Sequence, residues 1–91
     1  MYAVVVKVRV DAGRIQEAQA SLQTDVLPRV QQAPGVTAGY WLAPVNGGEG
    51  MSLVFIDDRE KAERLAGTIP AQPAPGVELE STEVREVIAR F

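Results

Sequence analysis

The chain has 91 residues, a formal net charge of −3 at pH 7, and neither cysteine nor histidine. This length suits one domain and is too short for two, so we predict that residues 1–91 form a single domain. The missing thiols and imidazoles exclude disulfides, thiolate metal sites and haem ligation by histidine, and they remove the commonest general base. We therefore expect neither a metal nor a cofactor.

Charge and hydropathy patterns limit the partners that the chain can have. Acidic and basic residues are intermixed without a basic block, which speaks against nucleic acid. The apolar run from Ala3 to Val6 is far shorter than the roughly 20 residues that cross a bilayer. The amino end carries no secretory signal pattern. We expect a cytoplasmic protein that binds neither nucleic acid nor a membrane.

Residues 2–10 predict the first strand. Valines at the even positions form one apolar face, while Lys7 and Arg9 lie on the other face. One interpretation is that these two cations point toward an enclosed anionic group. The simpler one is ion pairing between neighbouring strands, because Glu78 and Glu80 are predicted to share that face on the last strand.

A helix is predicted next. Asp11 can cap it, and from Arg14 onward apolar residues recur at steps of three to four, which predicts one buried stripe. Pro28 removes a backbone donor and crowds the carbonyl four residues earlier, so we expect a kink or a broken last turn. The helix stops at residues 33–35, which read Ala-Pro-Gly. The stripe consists of Ile15, Ala18, Leu22, Val26 and Val30.

The middle of the chain predicts a hairpin followed by a second helix. Residues 36–43 are rich in β-branched and aromatic side chains and predict a second strand, and residues 51–56 predict a third. Residues 44–48, between them, contain the Pro, Asn and Gly residues that favour a turn. Asp57 or Asp58 can cap the following helix.

The last part of the chain begins with a connector. Residues 70–76 contain three prolines, which fix φ and remove donors, so neither a helix nor an inner strand is expected there. Alternation from Val77 predicts a fourth strand in which Val77, Leu79 and Ser81 share one face. The apolar spacing from Val84 to Phe91 fits either a continuation of this strand with a bulge, which we favour, or a short amphipathic helix.

The order strand, helix, strand, strand, helix, strand predicts an α+β fold. We expect a ferredoxin-like βαββαβ arrangement, in which a four-stranded antiparallel sheet carries both helices on one face. The other face is then bare. A chain of this size buries only about 60 % of its unfolded surface, so a second subunit on the bare face would add stability. We therefore predict a homodimer.

Two adjacent aromatic residues bear on ligand binding. Tyr40 and Trp41 must point to opposite faces of their strand. Tyr40 shares its parity with Val36, so we predict that it faces the helices. Trp41 is then predicted on the open side, where it either anchors a subunit interface or lines a ligand site. The candidate ligand-binding residues are Arg9, Tyr40, Trp41 and Phe55.

The order of elements, with Ala-Pro-Gly-Val at residues 33–36 opening the second strand, resembles the dimeric α+β barrel superfamily. Its small members include domains of the antibiotic biosynthesis monooxygenase type, and residues 32–42 are similar to those of uncharacterised actinobacterial proteins of this type. The resemblance implies that two subunits close one barrel and that each pocket lies between sheet and helices. The tryptophan and histidine of the cofactor-free monooxygenases are missing from the corresponding residues 53–58.

These observations lead to two classes of function. The first is binding of a small, largely apolar organic molecule, with cofactor-free monooxygenase-like chemistry as its catalytic form; the sequence identifies no catalytic residue. The second is a non-enzymatic module for dimerisation or interaction. An amino-acid-sensing domain of the ACT type is a further alternative, and residues 11–13 would then form its ligand loop.

Overall fold

The computed structural model describes residues 1–46 and 48–91. The predicted turn over residues 44–48 includes Gly47 and lies partly outside the described residues. The strands and α-helices are, in chain order, β1 (Tyr2–Val10), α1 (Ile15–Ser21), α2 (Leu27–Gln31), β2 (Val36–Leu42), β3 (Gly50–Ile56), α3 (Arg59–Gly67) and β4 (Val77–Glu86).

The four strands form one antiparallel sheet in the order β2-β3-β1-β4. Val54 on β3 lies at its centre, paired with Val4 on β1 and with Gly39 on β2. The predicted α+β class and the four-stranded antiparallel sheet are confirmed. Strand order and directions are compatible with a ferredoxin-like fold.

The helices pack on the face that carries the even-numbered valines of β1. Val4 and Ile56 are completely buried there, and so is Ala62 of α3. A smaller cluster joins Ala18 of α1 to Val77 at the start of β4. The opposite face of the sheet, which we call the open face, carries no helix formed by the described residues.

The first helical segment is irregular. A 3₁₀ turn (Ala12–Arg14) precedes α1, and a π-helical turn (Leu22–Val26) separates α1 from α2. Asp11 caps the segment as predicted, because its Oδ1 accepts a hydrogen bond from the backbone N–H of Gly13 at 3.0 Å. The expected irregularity at Pro28 takes the form of the π-helical turn that precedes it, and the helix continues through Pro28 to Gln31. A wider turn accommodates the proline ring near the carbonyl four residues earlier.

The remaining predicted elements are found with adjusted ends. Asp58, rather than Asp57, caps α3 by accepting a hydrogen bond from the N–H of Lys61 at 3.0 Å. The continued strand that we favoured for the tail extends through Glu86 as part of β4, and residues 87–91 belong to neither a strand nor a helix. Within the described ranges, no helix is long and apolar enough to span a membrane.

A bulge interrupts β2 near its start. Val36 pairs with Ile56, on the helix-covered face. The next pair joins Ala38 to Phe55, so Thr37 is an extra residue on β2. One extra residue exchanges the two faces for every residue beyond it, because side chains alternate along a strand.

This bulge corrects the predicted orientation of both aromatic residues. Trp41 pairs with Ser52 and packs against the core on the helix-covered face. Tyr40 pairs with Leu53 on the open face and is 57 % exposed. The prediction that Tyr40 faces the helices and Trp41 the open side is therefore wrong, since it carried the parity of Val36 across the extra residue.

A second irregularity changes the faces of β4. Leu79 pairs with Val8, whereas Ser81 pairs with Lys7, which leaves Glu80 as the extra residue. Ser81 consequently lies on the open face and not with Leu79, as the simple alternation predicted. The ion-pair interpretation is confirmed for Arg9, whose guanidinium lies 2.7 Å from the carboxylate of Glu80.

The position of Trp41 gives a prediction for Gly39. A Cβ at this glycine would lie 2.8 Å from Cζ3 of the Trp41 ring. We expect Gly39→Ala to displace the indole, shift its fluorescence and lower the free energy of unfolding by about 1–3 kcal/mol. Gly67→Ala is the matched control, because a Cβ there meets nothing within 4 Å. Equal stability of both variants in urea denaturation would contradict the orientation of Trp41.

Candidate functional site

A cavity of about 830 Å³ lies between the first helical segment and the helix-covered face of the sheet. Its floor is formed by the even-numbered valines of β1, and its roof by the apolar stripe of the helical segment. Trp41 forms part of its wall on the β2 side. The main residues of the roof are Ile15, Leu22, Val26 and Val30.

The cavity exists because the two helical segments approach the sheet differently. α3 packs directly onto β1, β3 and β4. The first segment approaches the sheet most closely through α2, against β2. Its apolar stripe therefore faces open space along much of its length. Ile15 lines the cavity and is still 47 % exposed, so the cavity opens to solvent there.

A row of paired residues runs across this side of the sheet from β2 to β4, and three of its members, Trp41, Ser52 and Val6, line the cavity. Trp41 pairs with Ser52, Ser52 with Val6, and Val6 with Thr82. Ser52 lines the cavity beside the indole. The hydroxyl of Thr82 is buried and has no hydrogen-bond partner among the described residues. Among the described residues of the floor, Ser52 therefore contributes the one hydroxyl, while Thr82 does not line the cavity.

Few other polar side chains reach the cavity. Gln19 and Arg29 line it from the helical segment, and Thr68 lines it beyond the end of α3. The Thr68 hydroxyl already donates to the carbonyl of Leu65 at 2.7 Å. Hydrophobic contact must therefore supply most of the binding free energy of any occupant.

The sheet separates the four predicted ligand-binding residues. Trp41 lines the cavity, whereas Arg9, Tyr40 and Phe55 lie on the open face. Tyr40 and Phe55 make an edge-to-face contact there, with ring centroids 6.2 Å apart and an interplanar angle of 78°. One small molecule in the cavity can therefore contact Trp41 but not the other three.

Sequence reasoning missed Ser52 and Arg29 as cavity residues. Arg29 directly precedes Val30 of the predicted stripe and follows Val26 by three positions, which placed it at the edge of that stripe. Ser52 is two positions before the buried Val54 on β3, so the alternation of side chains along the strand already placed both on the same face. Neither signal reveals that a cavity exists between the two elements.

A charged cluster occupies the open face at one end of the sheet. Arg9 contacts Glu80, and the carboxyl group of Glu49 lies close to Glu80, so that a proton on one carboxyl group can form a hydrogen bond with the other. That hydrogen bond and the charge of Glu80 raise the pKa of Glu49 above its ordinary value. The same hydrogen bond, with Arg9 and Lys7 nearby, lowers the pKa of Glu80. One proton shared by two carboxylates explains the opposite directions.

Other kinds of site receive little support. Among residues 1–46 and 48–91, no group of three or more carboxylate side chains could hold a metal ion. Residues 11–13, the loop of the ACT alternative, form the cap and start of the 3₁₀ turn. The side chain of Asp11 already binds the N–H of Gly13.

Comparisons with known proteins do not identify a family for this chain. No protein-family model, no curated protein and no solved structure matches the chain. The candidate site therefore rests on the geometry of the molecule.

The carboxyl pair gives a prediction for pH. Because its pKa is raised on folding, Glu49 stabilises the fold at low pH, and this contribution is lost as the pH rises through that raised pKa. We expect Glu80→Gln to return the pKa of Glu49 toward 4.5, measured by carboxyl ¹³C NMR. Glu86→Gln, beside Tyr2 at the other end of β4, is the control. An ordinary pKa for Glu49 in the unmodified protein would contradict the pairing.

Proposed function

We propose that this protein binds a small, largely apolar organic molecule in the cavity between the first helical segment and the sheet. The observation that carries the proposal is the cavity itself, whose volume of about 830 Å³ lies within the roughly 300–1,000 Å³ of small-molecule sites. Protein interiors normally pack without such voids. The apolar stripe of the first helical segment faces the cavity and not the sheet. A bound molecule would supply the apolar contacts that the sheet does not make with this stripe.

The lining favours binding over turnover. In the described part of the chain it contains hydroxyl, amide and guanidinium groups but no carboxylate, lysine or tyrosine. Cofactor-free oxygenase chemistry, which the resemblance to the α+β barrel monooxygenases implies, needs a base at the substrate. We therefore propose a binding protein, and treat oxygenase activity as the narrower hypothesis.

The only tryptophan of the chain reports on this proposal directly. N-Phenyl-1-naphthylamine is a neutral, apolar probe that accepts excitation energy from indole. We expect it to bind with energy transfer from Trp41. Ser52→Phe, which places a ring in the cavity beside Trp41, should weaken binding at least tenfold. Ser81→Phe is the matched control, because Ser81 is also a half-buried strand serine but lies on the open face.

Two outcomes would contradict ligand binding in the cavity. The first is no binding of the probe to folded protein. The second is equal weakening by Ser52→Phe and Ser81→Phe, which would locate the probe elsewhere. Circular dichroism of both variants verifies that each still folds.

A second proposal concerns the open face, which we infer to be the interface of a homodimer. On β2 and β3 this face carries exposed or half-buried apolar side chains, and on β1 and β4 it carries both signs of charge. A second copy rotated by 180° can match a surface of mixed charge with itself. Two sheets joined in this way would form the barrel that the resemblance implies. The apolar residues that face away from the cavity include Tyr40, Leu53 and Phe55.

The homodimer predicts a particle mass twice the 9.8 kDa of one chain in light scattering at micromolar concentration. Leu53→Glu should yield folded monomer, because it places a charge in the apolar part of the interface. Val45→Glu is the control, since Val45 is 95 % exposed in the turn after β2. A monomeric unmodified protein, or an unchanged mass in Leu53→Glu, would contradict this interface.

A further inference from the structure

We propose that the cavity selects amphiphiles that carry one anionic head group, and that Arg29 binds a carboxylate of this kind. This inference rests on the proposed function, because it specifies the ligand of the same cavity. In this arrangement the head group lies at the rim, and the apolar part extends under the helical segment toward Trp41.

The charge of the cavity lining favours an anionic head group. Among the described residues that line the cavity, Arg29 is the one with a charge. The lining itself therefore offers an anion one cation and no carboxylate, whereas a cationic head group would be repelled. The carboxylate of Asp25 pairs with Arg29 from outside the lining. The chain as a whole has a net charge of −3, so general attraction of anions does not explain such binding.

The position of Arg29 suits a head group at the rim of the cavity. It belongs to α2 between Val26 and Val30, which also line the cavity. Its side chain lines the cavity and is still 59 % exposed, so it spans the boundary between the apolar cavity and water. A charged group is costly to bury but can stay partly hydrated at such a rim. An amphiphile has the same division between a hydrated head and an apolar tail.

Arg29 is also available to a ligand. One of its terminal nitrogens lies 3.2 Å from Oδ2 of Asp25, one helical turn earlier. Exposed helix pairs of this spacing contribute little stability. A guanidinium has five N–H donors in a planar fork that suits a carboxylate. A ligand carboxylate can therefore share or replace the contact with Asp25.

The test compares decanoate with decan-1-ol, which have the same chain length and differ in head-group charge. Each displaces N-phenyl-1-naphthylamine from the protein at pH 8 and at concentrations below micelle formation. We expect Arg29→Gln to weaken the binding of decanoate at least tenfold and to change the affinity for decan-1-ol less than twofold. Asp25→Asn should strengthen the binding of decanoate two- to fivefold, because it removes the carboxylate that competes for Arg29.

Arg9→Gln is the matched control. Arg9 is also an exposed, ion-paired arginine, with 69 % of its side chain accessible, but it lies on the open face. We expect no change in decanoate binding. The inference would be overturned if Arg9→Gln and Arg29→Gln weakened decanoate binding equally. It would also be overturned if Arg29→Gln weakened the binding of neither decanoate nor decan-1-ol. In both cases the apolar cavity site would stand. Failure of decanoate, decan-1-ol and the probe to bind the unmodified protein would overturn the proposed function as well.

Discussion

The packing of Ala62 against the centre of the sheet determines how the rest of the molecule is arranged. Ala62 is fully buried together with Val4 and Ile56, and its small side chain lets α3 lie directly on the strands. α3 thereby covers β1, β3 and β4. The first helical segment passes over the remaining sheet and comes closest to it at α2. The cavity is the space between that segment and the strands.

The two faces of the sheet have different surfaces and therefore suit different partners. The helix-covered face offers an apolar space with Trp41 on its wall and Arg29 at its rim. The open face offers the Tyr40–Phe55 contact at one side and charged residues of both signs at the other. A ligand and a second subunit would contact the same strands from opposite sides. Substitutions of side chains on one face can therefore separate the two proposals.

The residues of the cavity also restrict its chemistry. Proton transfer to or from a substrate needs a group whose pKa lies near the working pH. The carboxyl pair with shifted pKa values, Glu49 and Glu80, lies with Arg9 on the open face and thus on the other side of the sheet. This separation is the reason why we propose binding, and not turnover, for the cavity.

Local patterns predicted the strands, the helices and Asp11 as a cap, because alternation, helical spacing and caps depend on residues close in the chain. The faces of Tyr40 and Trp41 were predicted wrongly. Parity holds only while strands pair without interruption, and the bulge at Thr37 appears only when β2 meets β3. Glu80 is likewise an extra residue where β4 pairs with β1, and it exchanges the two faces for the residues beyond it.

The sequence by itself determined the order of the elements, the valine face of β1 and the absence of thiol and imidazole chemistry. Only the tertiary structure decided that Trp41 shares a cavity with Ser52, while Arg9, Tyr40 and Phe55 lie on the other side. The physical reason is that strand register and the distance between helix and sheet arise from contacts between segments far apart in the chain. A periodic pattern marks which side of a helix is apolar, but not how far away its partner lies.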